Sequence, residues 1–367
     1  MSTKTTTTEA PSEILIQSLP NDIALQCLAR VPRRYHPVLS TVSKPIRSLL
    51  SSPEFFAARS ALYCTEHLLL VGIRSRDFQP AHWFTLYRRP HPNSAPIMVR
   101  VRGIPSNRND WSAYVAVGPK IYVLGGQSCG INSAKVWIFD CRFHTWEPGP
   151  NMPTARKHGV RTVVLDDKIY VIGWFTEEDS WVYVFETVAS RWESLPCPKL
   201  TVYHQMVAGC GIRGGKVCVW VEGEELRFDP VTKTWEVFRL MMPWVKHVCE
   251  VNGVLYCSGI DVRGLKGFDE GAGYWKRLKL VNGGLPNDLL VDSMANVGGR
   301  LVIMGRDDFG CSEWEGRIGV WFAEIEVKKM EFLEFQGEVV WSDRIYSCGA
   351  SLRDRENLYF NCLKVSL

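Results

Sequence analysis

The chain has 367 residues, of which 46% are hydrophobic and 22% charged, a composition typical of a folded soluble protein. The net charge of +4 arises from 43 basic and 39 acidic residues interspersed along the chain, which argues against a polyanion-binding face and against a nucleic-acid partner. By the usual range of domain sizes, this length predicts one large domain and one small one.

Three further features of the sequence concern location. No stretch approaches the roughly 18 consecutive apolar residues that a membrane-spanning helix needs, so we expect no membrane partner. Residues 1–13, MSTKTTTTEAPSE, are polar and threonine-rich, which predicts a flexible tail and no secretion signal. The twelve cysteines are scattered without a C-x-x-C pair, as in proteins of a reducing compartment. We therefore expect the protein in the cytoplasm, the nucleus or both.

Residues 14–62 show helical periodicity. A first apolar stripe recurs every four residues, at Leu19, Ile23, Cys27 and Val31. A second stripe recurs at threes and fours, at Leu39, Val42, Ile46, Leu49 and Leu50. Pro45 either interrupts the second helix, at a cost of about 3 kcal/mol, or opens a new helix at almost no cost. We favour the second interpretation. About fifty residues bury too small a core to be self-sufficient, so this segment is expected to need a partner.

The string LPNDIALQCLARVP, followed by HPVLSTVSKPIRSLLSSPEFFAARS, resembles the F-box of plant F-box/kelch-repeat proteins. The match is most specific in the portions LP-x-D-x5-LARV and LS-x-VSK-x2-RSLL-x-SPE. The resemblance implies binding to a Skp-type adaptor, which joins the chain to a cullin scaffold. By motif position, the residues that form or support the adaptor surface are Leu19, Pro20, Asp22, Ile23, Leu28, Arg30, Val31, Leu39, Val42, Ser43, Lys44 and Arg47. Periodicity alone leaves open that the helices merely pack on the C-terminal domain.

From residue 112 onward, short apolar runs bounded by Gly, Pro and Asp indicate an all-β fold. Four times a phenylalanine and an acid precede a tryptophan, six residues from acid to tryptophan: Phe139-Asp140 to Trp146, Phe185-Glu186 to Trp192, Phe228-Asp229 to Trp235 and Phe268-Asp269 to Trp275. The strands that begin at 120, 168 and 216 lie 48 residues apart, a period typical of propeller blades. The acids are predicted to start turns and the tryptophans to fill the space between blades, so these acids are structural.

The order of a glycine-ending strand, an aromatic–acid pair and a tryptophan resembles the kelch repeat. Units counted at 112, 158, 204, 247 and 292 give five blades within the region 63–367. A sixth is predicted from both ends, with HLLLVGI at 67 and WFTLYRR at 83 pairing with IYSCGASL at 345 and NLYFNCL at 357. This pairing would close the propeller and remove exposed strand edges. We predict six blades; seven stays open because the interval from 305 to 341 holds no clear copy of the motif.

The sequence contains no catalytic motif of the common classes: no P-loop, no G-x-G-x-x-G after a strand, no G-x-S-x-G and no H-E-x-x-H. Some kelch propellers are copper oxidases, but those proteins are secreted. The eight histidines never fall at short ligand spacing, so we expect no metal site. The prediction is a protein that is not an enzyme, with no catalytic residues and no cofactor.

Basic and aromatic residues recur just before the predicted innermost strands, where the kelch resemblance places the mouth of the central channel. These residues are Trp111, Arg156, Lys157, His158, Tyr203, His204, Lys246 and His247. Loops on a rigid scaffold are common recognition sites, and arginine grips carboxylates and phosphates. We therefore predict that the mouth binds an acidic or phosphorylated segment of a substrate protein. The alternative for each histidine is that it caps its own strand or packs between blades.

Together the two resemblances imply the substrate-recognition subunit of an SCF-type (Skp–cullin–F-box) ubiquitin ligase. The F-box, residues 14–62, would bind the adaptor, and the propeller, residues 63–367, would bind the target protein. Its contribution would be proximity, since it would hold a substrate lysine near a ubiquitin-charged enzyme. The alternative is a propeller scaffold or inhibitor that uses the F-box only for its own turnover.

Overall fold

A computed structural model of the chain describes residues 14–75, 82–87, 97–101, 112–128, 131–155, 160–173, 181–196, 207, 209–221, 224–239, 245–259, 264–282, 285–286, 289–307, 317–330, 335–349 and 358–367. The chain forms two compact units. The helical unit comprises Met1–His67, Cys141–Phe143 and Ser366–Leu367. The β unit comprises Leu68–Asp140 and His144–Val365.

The helical unit contains four short helices: α1 Asn21–Ala29, α2 His36–Leu39, α3 Lys44–Leu50 and α4 Pro53–Ala61, with a 3-10 turn at Arg33–Tyr35. Pro45 lies in the first turn of α3, where a proline removes no helical hydrogen bond, so the favoured interpretation of Pro45 is confirmed. The hydroxyl of Ser43 caps α3 by accepting a hydrogen bond from the amide of Ile46 at 3.3 Å. Ser52 caps α4 in the same way through the amide of Phe55 at 3.2 Å.

The core of the helical unit is formed by side chains from three helices. Its buried members are Leu28, Ala29, Ile46, Leu49, Leu50, Phe55 and Phe56. Phe143, which also belongs to this unit, places its ring edge-on to Phe56 with 5.5 Å between the centroids. The amide and carbonyl of Glu66 exchange hydrogen bonds with those of Leu367 at 2.7 and 2.8 Å. Phe143 and Leu367, which are distant in sequence from the helices, therefore also belong to the helical unit and contact it.

The β unit contains six groups of four antiparallel strands, which we name blades A to F. Blade A contains β1 His67–Ser75, β2 His82–Tyr87 and β3 Ile97–Val101 together with β26 Leu358–Ser366, which lies beside β1. Blade B contains β4 Ala113–Val117, β5 Lys120–Leu124, β8 Val136–Asp140 and β9 Thr145–Gly149, with a small hairpin of β6 Gln127–Ser128 and β7 Ile131–Asn132. Blade C contains β10 Arg161–Leu165, β11 Lys168–Ile172, β12 Val182–Glu186 and β13 Arg191–Ser194.

The remaining three blades follow in chain order. Blade D contains β14 Gly209–Arg213, β15 Lys216–Val221, β16 Glu224–Asp229 and β17 Thr234–Arg239. Blade E contains β18 Val245–Val251, β19 Val254–Gly259, β20 Leu265–Asp269 and β21 Tyr274–Leu280. Blade F contains β22 Leu289–Val297, β23 Arg300–Asp307, β24 Arg317–Lys329 and β25 Phe335–Gly349.

Apolar contacts join each blade to the next and close the ring. Blades A and B meet where the rings of Trp83 and Tyr114 lie 5.1 Å apart. Shared apolar clusters join B to C, C to D, D to E and E to F. The ring closes where Val71 of blade A packs with Val302 and Met304 of blade F. The predicted six-bladed propeller is therefore confirmed.

One predicted strand pairing is wrong. Residues 345–349 do not lie beside β1; they form the end of β25, which pairs with β24. The long interval between 305 and 341 that left a seventh blade open is occupied by β24 and the first part of β25. In addition, β25 pairs in parallel with β21 of blade E, from Leu278 opposite Phe335 to Leu280 opposite Gly337. Main-chain hydrogen bonds therefore join blades E and F into one sheet of eight strands.

Two-residue turns set the register of the inner strands in blades B to F. The turns are Gly118-Pro119, Asp166-Asp167, Gly214-Gly215, Asn252-Gly253 and Gly298-Gly299. In the last four, both residues have positive φ, as the type I′ turn of a tight hairpin requires. Because the turn length is constant, each inner-strand position has an equivalent in the other four blades.

Candidate functional site

Helix α1 has an inward and an outward face, and both carry apolar side chains. Ala24, Leu28 and Ala29 are buried in the core of the helical unit. Leu19, just before the helix, and Ile23 on its opposite side are 39% and 41% exposed. The unit's own core therefore leaves aliphatic surface in water at the position where the F-box motif places its adaptor contacts.

Leu28, one of the predicted adaptor residues, does not itself form the exposed surface, because its side chain is only 5% exposed. It packs with Ile46, Leu49 and Phe55 in the core of the helical unit. The stripe of Leu19, Ile23 and Cys27 is the outward face of α1, whereas the inward face is one residue further along. Leu28 accordingly supports the outward face from below.

The other predicted adaptor residues divide by exposure. The exposed ones are Leu19, Pro20, Asp22, Ile23, Arg30, Val42, Lys44 and Arg47. Val31, Leu39 and Ser43 are half-buried. Arg47 is fixed by a hydrogen bond from its Nε to the carbonyl of Ser40 at 2.8 Å. Eight of the twelve predicted positions thus present side chains to solvent on the helical unit, and four support them.

Arg59 of α4 is a buried cation beneath this surface, and the motif did not indicate it. Its side chain is 2% exposed, and its Nη1 donates to the carbonyls of Ala29 and Val31 at 2.8 and 2.9 Å. Its Nη2 donates to the carbonyl of Cys64 and to the Glu66 carboxylate, both at 2.7 Å. The guanidinium therefore holds the end of α1 against α4 and the segment that follows it.

A sequence signal for Arg59 was present. It stands three and four residues after Phe56 and Phe55, the spacing that places side chains on one helix face. Both phenylalanines are buried, so an arginine on the same face must also be buried and must have partners. Those partners are carbonyls at the end of α1, where the helix leaves acceptors unsatisfied.

The predicted substrate residues lie almost entirely outside the described residues. This holds for Trp111, Arg156, Lys157, His158, Tyr203 and His204, and for the side chain of Lys246. His247 is described: it lies half-buried in β18, opposite Ser258, beside an irregularity in the strand register. The predicted mouth therefore stays a prediction from the sequence.

The four repeated Phe–acid–Trp segments form the outer hairpin of blades B to E. In each, the phenylalanine lies directly opposite the tryptophan, and their ring centroids are 4.9 to 5.3 Å apart. The indole Nε1 of Trp192 donates to the carbonyl of Pro150 at 2.9 Å, and that of Trp235 to Pro196 at 2.7 Å. Because each of these prolines follows the outer strand of the preceding blade, the tryptophans connect neighbouring blades, as predicted for them.

The repeated acids have structural partners. Asp229 accepts hydrogen bonds from the amides of Val231 and Thr232, which lower the pKa of its carboxyl group, and Lys216 at 3.3 Å lowers it further. The carboxylate of Glu186 is bound by Arg191 at 2.7 Å and by Lys168 at 3.3 Å. Asp229 thus starts a turn, and both carboxylates pair with cations, which agrees with the predicted structural role.

Comparison with known proteins agrees with this architecture. The F-box domain model matches residues 16–57, and the model described as FKB95, Kelch-repeats domain, matches residues 83–346. The F-box/kelch-repeat protein At4g39590 of Arabidopsis thaliana is 32% identical, over 94% of this chain and 90% of its own length. The putative F-box/kelch-repeat protein At4g39290 of the same plant is 33% identical, over 92% and 94%. The solved structure of YjhT has a TM-score of 0.51 at 12% identity, covers 70% of this chain and 90% of its own, and supports the fold alone.

A small helical unit with exposed aliphatic side chains, joined to a propeller of kelch repeats, defines an adaptor class of protein. This chain belongs to the F-box/kelch-repeat family. Its F-box implies binding to a Skp-type adaptor, and F-box/kelch proteins are SCF substrate receptors that typically have no enzymatic activity.

The described residues contain no group of three or more His, Cys, Asp or Glu side chains arranged to hold a metal ion. Among the helices that the structure describes, none is both long and apolar enough to cross a bilayer.

Proposed function

We propose that this chain selects proteins for ubiquitylation by an SCF-type ligase, with the helical unit bound to a Skp-type adaptor and the propeller bound to the target. The adaptor would link the chain to a cullin. Catalysis would belong to the ubiquitin-charged enzyme, and this chain would raise the local concentration of a substrate lysine.

The observation that carries the proposal is the exposed aliphatic face of the helical unit. Leu19, Ile23 and Val42 remain in water although the core beneath them is already filled by Leu28 and Ile46. Burial of one such side chain in an interface contributes about 1.5 to 3 kcal/mol. A few of them, together with Arg30 and Lys44 at the rim, would supply a stable adaptor contact.

Ile23→Asp tests the adaptor contact directly. Because the side chain of Ile23 points outward, the variant should fold, and an unpaired carboxylate in an apolar interface costs several kcal/mol. We expect at least a hundredfold loss of adaptor affinity, measured by surface plasmon resonance with purified adaptor. Val188→Asp, at a 92% exposed position in the β12–β13 turn, is the matched control and should bind the adaptor normally. Full adaptor affinity in Ile23→Asp would refute this interface.

The target-binding half of the proposal rests on the sequence of the predicted mouth. Arg156, Lys157, His158 and His204 precede inner strands in the sequence, and Lys246 and His247 lie near the start of the inner strand β18. An acidic or phosphorylated segment would neutralise them, and each charge-assisted hydrogen bond contributes about 1.5 to 3 kcal/mol. Arg156→Glu/Lys246→Glu should therefore lose its co-purified targets and retain the adaptor. If the variant retained its co-purified targets, we would conclude that target recognition takes place on another surface.

The alternative, a scaffold whose F-box serves only its own turnover, predicts a different result in cells. Under the receptor proposal, Ile23→Asp stabilises both this chain and its targets, because neither is ubiquitylated. Under the alternative, only this chain accumulates. We place this activity in the cytoplasm, the nucleus or both, which accords with the eight described cysteines, none of which forms a disulfide.

A further inference from the structure

The repeated hairpins of blades B to F allow each inner strand to be compared with its equivalents. At the third-from-last position of the inner strand, the five blades have Val115, Val163, Gly211, Cys249 and Ala295. The residues opposite, on the second strand, are Tyr122, Tyr170, Cys218, Tyr256 and Val302. Blade D therefore has glycine opposite cysteine where blades B and C have valine opposite tyrosine. Much side-chain volume is missing on the face of blade D that meets blade E.

Trp220 of β15 replaces part of that volume. Its ring lies over Gly211, where an added Cβ would be 3.1 Å from Cη2 and 3.3 Å from Cζ3. A cleft of about 450 Å³ remains beside it. Its lining includes Gly211 and Trp220 of blade D and Val248 and Leu255 of blade E. Val163 of blade C and Asn296 of blade F also contribute to it. This volume is within the range of pockets that hold small ligands.

The cleft also contains Glu250, which is the only acidic residue among the five equivalent inner-strand positions of blades B to F. At the second-from-last inner-strand position, the five blades have Ala116, Val164, Ile212, Glu250 and Asn296. Glu250 is on the same face of β18 as Val248, since residues two apart share a strand face, and it also lines the cleft. Its carboxylate makes no hydrogen bond or ion pair with any residue that the structure describes.

Two arginines of blade D are paired with carboxylates other than Glu250. Arg213 pairs with Glu225 at 3.5 Å and with Glu270, and Arg227 pairs with Glu225 at 2.6 Å. Neither arginine therefore neutralises Glu250. The amide of Asn296, which also lines the cleft, is engaged elsewhere, donating to the main-chain carbonyl of Glu250 and accepting from the amide of Gly299. A ligand cation therefore finds one uncompensated carboxylate above apolar walls.

We propose that this cleft binds a small organic cation, with an ammonium or guanidinium group on Glu250 and an apolar body against Val248 and Leu255. Gly211 in blade D and Glu250 in blade E, the two residues that depart from their equivalents in the other blades, both line the cleft. The site is distinct from the adaptor surface and does not depend on the proposed function.

The experiment uses the full chain and two probes of the same shape. 4-Phenylbutylamine is cationic at pH 7, and 4-phenylbutanol is its neutral counterpart. Isothermal titration calorimetry should show the amine binding about tenfold more tightly than the alcohol, the value of one charge-assisted hydrogen bond. Glu250→Gln should abolish that difference and leave the affinity for the alcohol unchanged. Glu236→Gln, a half-exposed carboxylate in β17, is the matched control and should preserve the difference.

A filling variant tests the location. Val248→Phe should weaken binding of both probes, with folding checked by its melting temperature; if this variant does not fold, the comparison at Glu250 decides alone. Equal affinities of the amine and the alcohol for the unmodified chain would overturn the proposal. So would an unchanged preference for the amine in Glu250→Gln.

Discussion

Substitution of Arg59 by methionine should unfold the helical unit and leave the propeller intact. The change leaves the carbonyls of Ala29, Val31 and Cys64 without their donor and the carboxylate of Glu66 without its cation. An unsatisfied buried acceptor costs about 1–3 kcal/mol, and breaking a buried ion pair costs about 3–5 kcal/mol in total. Since one partner, Glu66, is partly exposed, we expect a loss of about 4 kcal/mol.

Hydrogen exchange measured by mass spectrometry separates the two units. A loss of about 4 kcal/mol corresponds to an exchange rate about a thousandfold faster, in peptides from the helical unit and not in those from the propeller. Arg30→Met is the matched control, because the side chain of Arg30 is exposed and its Nη1 donates to the carbonyl of Gln26, four residues earlier, at 2.9 Å. It should change stability by less than about 0.5 kcal/mol. If the two variants exchange at the same rate, Arg59 does not hold the helices together.

Three further predictions concern stability. Tyr63 is 96% exposed with φ at 55°, so Tyr63→Gly should stabilise the helical unit by about 0.5–1 kcal/mol in urea denaturation; destabilisation would contradict the conformational argument. Burial lowers the pKa of His36, so the folded unit disfavours the protonated imidazolium. The free energy of unfolding should therefore decrease as the pH falls below about 6.5 and level off once the pH is below the folded-state pKa. His36→Phe should remove this pH dependence from exchange rates measured between about pH 7.5 and 5.5. Trp192→Ala should cost about 3 kcal/mol in calorimetry and Trp192→Phe about 1, since phenylalanine keeps the packing on Phe185 and loses only the bond to Pro150; equal costs would show that the packing on Phe185 contributes nothing.

The repeats were predictable because their geometry is local. The acid and the tryptophan six residues later belong to one hairpin, whose turn contains a residue of positive φ four places after the acid: His144, Ser190, Lys233 and Gly273. A short segment therefore determines its own register, and copies of it reveal the blades. The closing blade was only partly predictable, since strands near both ends of the region have similar composition and periodicity does not select the partner.

The helical unit shows where periodicity stops being informative. A spacing of four connects Ile23 with Cys27, and the same spacing connects Ala24 with Leu28, yet only the second pair points inward. Periodicity states which residues share a face, and packing decides which face is buried. Arg59 was missed for a related reason, because charged residues are rarely buried and the carbonyls that bind it come from residues about thirty positions away.

The parallel pairing of β21 with β25 makes the contact between blades E and F different from the other contacts between neighbouring blades. Within the described residues, the other neighbouring blades are separate sheets held by side chains, whereas blades E and F also share main-chain hydrogen bonds. The side-chain amide of Asn282 adds two bonds to the main chain of Val339, donating to its carbonyl at 2.9 Å and accepting from its amide at 3.0 Å. Side-chain contacts can slide and repack, but a hydrogen-bonded ladder must break as a unit. Under mechanical load the ring should therefore open first between another pair of blades, and blades E and F should be the last pair to separate.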